Sequence, residues 1–255
     1  MVLVREHSLV PNDVAVYGMF PSFDQEIMLE LLNSMKASNG SDIPEAGDTL
    51  IAGTSTIGYY GFNRDIISGT SLASTIGLTA GTAINSNEGW LKYSYQGKVC
   101  YIAKKPFRYN LSWADVYRAG AVYGTDDNGT FPPATGNRTQ NARVTIAGKA
   151  YRVMLPRIKD ADPSTTPIAV GSLYDLFRKT RTDYSGNWGV QTYTALELGQ
   201  PAYTENAGYN FTSTTYSSNQ QNRLMFQSAN LTTISQIQHS SPANNLGWRP
   251  VLLEV

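Results

Sequence analysis

The hydrophobic pattern changes period several times along the chain, and each change marks an element. Residues 91–95 and 99–103 are short runs of aromatic and branched side chains flanking Gln96-Gly97-Lys98, which predicts a β-hairpin. Beyond it Trp113, Val116 and Tyr117 recur at spacings of three and four, Ser112 stands where a cap belongs and Gly120 where a helix stops, so this stretch predicts a short helix. Residues 143–146 and 150–155 alternate around Ala147-Gly148-Lys149 and predict a second hairpin. Residues 172–179 read as a short helix with Leu173, Leu176 and Phe177 inward. Residues 223–226, a weaker run around Ile234 and residues 248–254 complete the expected strands.

The last of these is informative in its parity. Trp248 differs from Val251 and Leu253, so one regular strand cannot put all three on one face. Either Pro250 marks an irregularity or both faces are covered, and each fits a strand inserted beside 99–103. Arg249 then falls near a sheet end, to pair with a carboxylate or carbonyl groups or to stay solvated.

Upstream, residues 1–20 are apolar without a regular period. Ser22 with Gln25 resembles a capping box, and Ile27, Met28, Leu31, Leu32 and Met35 then form one stripe of a helix that ends near Asn39-Gly40. That stripe either packs on its own domain or docks on another chain. Residues 41–53 are rich in turn formers, 57–62 read as a strand, 71–76 as a short helix, and 85–88 are polar. A boundary fits near 45 or near 88. The second is preferred, giving an N-terminal attachment and oligomerisation region, 1–88, and a domain over 89–255.

Chemistry narrows the reading further. Twenty Lys and Arg offset twenty Asp and Glu, so no broad field draws in nucleic acid or an anionic membrane. No run approaches the roughly 20 apolar residues of a membrane span and no signal-type segment opens the chain, so a soluble protein made in a cytoplasm is expected. The single Cys100 excludes an internal disulfide and a multi-cysteine metal site, and its alternation with Val99 and Tyr101 predicts a buried structural thiol. His7 and His239 are far apart and read as surface residues. The run Asp126-Asp127-Asn128-Gly129 lacks the alternating ligands and closing Glu of a calcium loop and reads as a turn. Phosphate loops, nucleophile elbows and nucleophile–base pairs are missing from the sequence, so no catalytic residue, metal or cofactor is expected. Residues 180–218 are dominated by Tyr, Trp, Thr, Gly and Asn with weak periodicity, predicting long loops and short strands. Within them Trp188, Tyr193, Tyr203, Tyr209, Phe211 and Tyr216 form the candidate ligand-binding surface, because rigid aromatics among small polar residues suit recognition.

Four runs carry a resemblance: residues 83–124, 145–157, 222–226 and the closing 247–255. In this order they resemble bacteriophage and prophage virion structural proteins of tail-fibre or particle-surface type, over roughly residues 54–255. More distantly, Ser112-Trp113, residues 151–156 and Gly247-Trp248-Arg249 resemble the C-type-lectin-like fold of formylglycine-generating enzymes and retroelement variable proteins. The active-site cysteine pair of those enzymes is missing here, so the resemblance implies fold and not oxidase activity. It implies an α+β, C-type-lectin-like domain of short antiparallel strands, two short helices and long loops, preceded by a smaller N-terminal region. The expected protein is a non-enzymatic, oligomeric particle component located in the virion, assembled in the host bacterial cytoplasm and contacting other virion proteins. The alternative is a fibre-tip adhesin that recognises a host-surface glycan or protein.

Overall fold

A computed structural model of the chain describes residues 49–130, 136–159, 162, 164, 168–199, 208–216, 221–227 and 234–255. The first strands, β1 (Ala52–Gly53) and β2 (Ile57–Asn63), are joined by a turn in which Thr54 Oγ1 accepts from Ile57 N at 3.1 Å. Helix α1 (Gly69–Thr75) follows, capped by Ser68, and then β3 (Thr82–Ala83). The hairpin expected next is β4 (Trp90–Tyr95) and β5 (Lys98–Ala103). Gln96 and Gly97, at φ 53° and 77°, are both left-handed, as a two-residue hairpin turn requires.

Strand β6 (Arg108–Leu111) leads into helix α2 (Trp113–Arg118). Ser112 Oγ accepts from Asp115 N while Asp115 Oδ2 accepts from Ser112 N at 2.8 Å, a reciprocal cap that satisfies two orphan donors. The second expected hairpin is β7 (Arg143–Ile146) and β8 (Lys149–Met154), and helix α3 (Leu173–Arg178) starts at the cap Ser172. The chain closes with β9 (Tyr209–Thr215), β10 (Asn222–Gln227), β11 (Ile234–Gln238), β12 (Ala243–Trp248) and β13 (Val251–Glu254).

These strands form two sheets, ordered β1-β2-β4-β5-β13-β8-β7 and β11-β10-β9-β12-β6-β3. Their ladders are antiparallel apart from β9 with β12. The result is a mixed, α+β-like class, mostly antiparallel sheet with three short helices. Strand β13 lies between β5 and β8, with Leu252 opposite both Tyr101 and Val153. The run 248–254, read as one strand, is two. The chain leaves the smaller sheet at Trp248 and enters the larger at Val251, so the irregularity at Pro250 and the coverage of both faces occur together.

The larger sheet is covered on both faces. On one, Trp90, Tyr101, Val153 and Leu252 meet Trp113, Val116 and Tyr117 of α2 and Phe211, Leu246 and Trp248 of the smaller sheet. On the other, Leu91, Tyr93, Cys100, Ile102 and Val251 meet Leu173, Leu176 and Phe177 of α3. A fully buried side chain of this kind contributes roughly 1.5–3 kcal/mol, so the central strands dominate the stability.

The boundary expected at 88 moves. Strand β2 pairs along β4 from Ile57 opposite Tyr95 to Asn63 opposite Trp90, which makes residues 57–63 part of the same sheet. The described residues belong to one unit, Glu45–Val255, and the polar 85–88 is a turn closed by Glu88 N donating to Asn85 O at 3.0 Å. The stripe Ile27, Met28, Leu31, Leu32 and Met35 lies outside the described residues. Among those residues no helix is long and apolar enough to cross a membrane.

Candidate functional site

Segment 180–199 follows α3 and lies against the β2 end of the larger sheet. Its backbone is held by Trp188 N donating to Lys179 O at 2.8 Å, Tyr193 N to Thr180 O at 2.7 Å and Thr182 N to Tyr193 O at 3.0 Å. Such bonds give a segment without regular structure a fixed path. Trp188 stacks on Tyr59 with centroids 6.2 Å apart and planes 15° from parallel, and Tyr59 meets Tyr93 at 5.3 Å. The indole N–H donates to Leu176 O at 3.3 Å.

Two lysines complete the patch. Lys179 Nζ lies 5.2 Å from the Trp188 ring centroid, and Lys104 Nζ lies 4.6 Å from Tyr193 and 5.1 Å from Phe62. Partly desolvated ammonium groups over ring faces are held by the ring quadrupoles. Burial pushes the Lys104 pKa down, opposed by the carboxylates of Glu197 and Glu88. Burial likewise raises the Tyr59 and Tyr93 phenols well above their ordinary range. Trp188, Tyr193 and the two lysines are half-buried, with Tyr59 and Tyr93 fully buried beneath them and Lys179 also paired with Asp175 at 3.3 Å.

Of the six aromatics singled out from the sequence, Trp188 and Tyr193 come together here. Tyr209 opens β9 and Tyr216 follows it, both half-buried and each packed on a different core. Phe211 is a correction. It is fully buried because β9 runs inside the smaller sheet between β10 and β12, so Phe211 is a core residue and not part of a surface. Tyr203 lies outside the described residues. The sequence reading missed Tyr59, Phe62, Lys104 and Lys179. The strand containing Tyr59 and Phe62 was visible, but its proximity to Trp188 and Tyr193 arises only from packing.

Other reactive groups are engaged structurally. Cys100 is fully buried and burial raises its thiol pKa, as its strand alternation predicted. His239 is buried, not on the surface. Its ring Nε2 lies 2.8 Å from Gln221 Oε1 and its carbonyl accepts from Ala114 N, while burial, then Arg223 and Arg118, lower its pKa. Asp126 pairs with Arg152 at 2.6 Å and Arg143 at 2.9 Å, and Asp127 accepts from Thr125 Oγ1 and Gly129 N, as an ordinary turn does. Among the described residues no group of three or more His, Cys, Asp or Glu is placed to hold a metal ion. A depression of about 410 Å³ lies between Arg64–Ser68 and Ser86-Asn87, but Ser68 caps α1 and Ser86 Oγ accepts from Thr70 N at 2.7 Å.

The chain matches no protein-family model, no curated protein and no solved structure.

Proposed function

We propose that the chain is a non-enzymatic structural component of a bacteriophage particle, on the tail, fibre, baseplate or capsid surface, and that its described unit is a C-type-lectin-like domain. The observation that carries this reading is spatial. The four runs that resemble virion proteins supply β4 to α2, the end of β7 and all of β8, most of β10, and the passage from β12 into β13. The closing run is inserted between strands of the first and second runs, so what resembles those proteins is one connected framework and not scattered similarity. The ion-paired or buried state of Asp126, Asp175, Cys100 and His239 supports a role without catalysis. Contact with other virion proteins is supported by exposed apolar residues near the β1–β2 edge. Val170 is 83% exposed, Val190 44% and Leu50 38%.

Immunogold labelling of purified particles, with antibody raised against residues 49–255, is expected to decorate them at a regular position. Label confined to unassembled protein would overturn the reading. A second reading, a fibre-tip adhesin contacting host glycan or protein, is favoured by the meeting of Trp188 and Tyr193 with Lys104 and Lys179 on one patch. It predicts that Trp188→Ala with Tyr193→Ala lowers particle adsorption to host cells without changing assembly.

A further inference from the structure

Arg249 sits beneath the aromatic patch, wholly inaccessible, where the chain passes from β12 to β13. Its Nη2 donates to Leu198 O at 2.6 Å, its Nη1 to Ala103 O at 2.8 Å and to Lys104 O, and its Nε to Asn210 Oδ1 at 3.2 Å. The guanidinium carbon lies 4.4 Å from the Phe177 ring centroid. Among the described residues no carboxylate pairs with it. The cation is therefore solvated by carbonyl dipoles, an amide and one ring, the arrangement that a planar fork of five donors can satisfy and an ammonium cannot.

These acceptors are not equivalent. Ala103 is fixed by the β4–β5 ladder and Asn210 by β9, whatever Arg249 does. Leu198 belongs to 194–199, whose other backbone bonds among the described residues are local, Leu198 N to Thr194 O and Gly199 N to Leu196 O. The bond from Arg249 is the polar tie of that stretch to the sheets, beside the burial of the Leu198 side chain in the core, and through Lys104 O the same guanidinium joins it to the backbone that places an ammonium over Tyr193, a backbone also held by Lys104 N donating to Gly89 O at 3.0 Å.

We propose that Arg249 is the positioning residue of the aromatic face. It seats 194–199 and Lys104 together, so the Phe62–Lys104–Tyr193 stack loosens when the β12–β13 passage loses the guanidinium. The face is then coupled to the closing strand, although the two are separate in sequence. The proposal holds whatever the face contacts.

The test is hydrogen exchange on the full chain carrying Arg249→Met, which keeps apolar bulk but no donor, and Arg249→Lys, which keeps the charge but not the fork. The amides of Tyr193, Leu198 and Gly199 are expected to exchange about tenfold faster or more, with those of β4 and β5 changed less than about threefold. Acylation of Lys104 by an amine-directed reagent should accelerate in parallel. Equal acceleration in β4, β5 and 193–199, or none in 193–199, would overturn the proposal. If Arg249→Met does not fold, the lysine variant is decisive. Failure of both to fold also overturns it, because the guanidinium would then support the whole core and not one segment.

Discussion

Ala147 occupies the first turn position of the β7–β8 hairpin at φ 48°, beside Gly148 at 80°. A left-handed residue with a Cβ costs roughly 1–2 kcal/mol unless a short polar side chain compensates it, and Asn is the residue best suited there. Ala147→Asn is therefore expected to stabilise the protein by about 0.5–1 kcal/mol, read as a higher thermal midpoint with unchanged circular dichroism. His239 supplies a pH effect whose sign follows from burial. Its folded pKa is lowered, so the unfolded chain binds the proton more readily. Its contribution is complete above the ordinary histidine pKa of about 6.5 and is lost as pH falls through the lower folded value. Denaturant midpoints at pH 7.5 and 5.5 should therefore differ less in His239→Gln than in the parent. Equal differences would show that other groups set the acid response.

At the level of elements, the two reciprocal features of α2 are testable. Ser112→Ala removes the acceptor for Asp115 N and the partner of its carboxylate, and should cost about 1 kcal/mol in denaturant unfolding. Elements whose signals are local were legible in the sequence. Gln96-Gly97 and Ala147-Gly148 announce their turns, and Ser112 and Ser172 announce their helices. The strands β1, β3 and β6 were not legible, since two to four residues give no period and their existence depends on partners such as Tyr109 opposite Thr82. Strand β9 was lost for another reason. Its run Thr212-Ser213-Thr214-Thr215 is polar yet buried, with Thr212 Oγ1 donating to Leu224 O at 2.7 Å and Thr214 Oγ1 accepting from Ile158 N at 3.2 Å. Hydrophobic patterning cannot register a strand built that way.

The whole molecule depends on the closing run. Trp248, Arg249, Val251 and Leu252 are all fully buried. At roughly 1.5–3 kcal/mol for each apolar side chain, deleting residues 247–255 removes an amount comparable with the 5–15 kcal/mol that holds a domain together. The truncated protein should lack a cooperative thermal transition by circular dichroism, and a cooperative one would refute the architecture. This dependence was legible from the parity of Trp248, Val251 and Leu253. The choice between the boundaries near 45 and near 88 was not, because the polar 85–88 looks like a linker until β2 is seen paired with β4 and the unit is seen to begin at Glu45. Nor was the candidate site whole in the sequence. Trp188 and Tyr193 carry the composition of recognition residues, but Lys104 and Lys179 join them only through α3 and the end of β5.

Strand β13 also governs the kinetics of folding. Leu252 must find Tyr101 and Val153 across long stretches of chain, and non-local pairings of this sort are slow to form. Until it arrives, β5 and β8 each offer an open edge of unpaired backbone in an apolar setting, the template on which one unfolded copy captures another. Recovery of native protein on dilution from denaturant should therefore fall as chain concentration rises, and a synthetic peptide of residues 247–255 added during refolding should compete for those edges and lower it further.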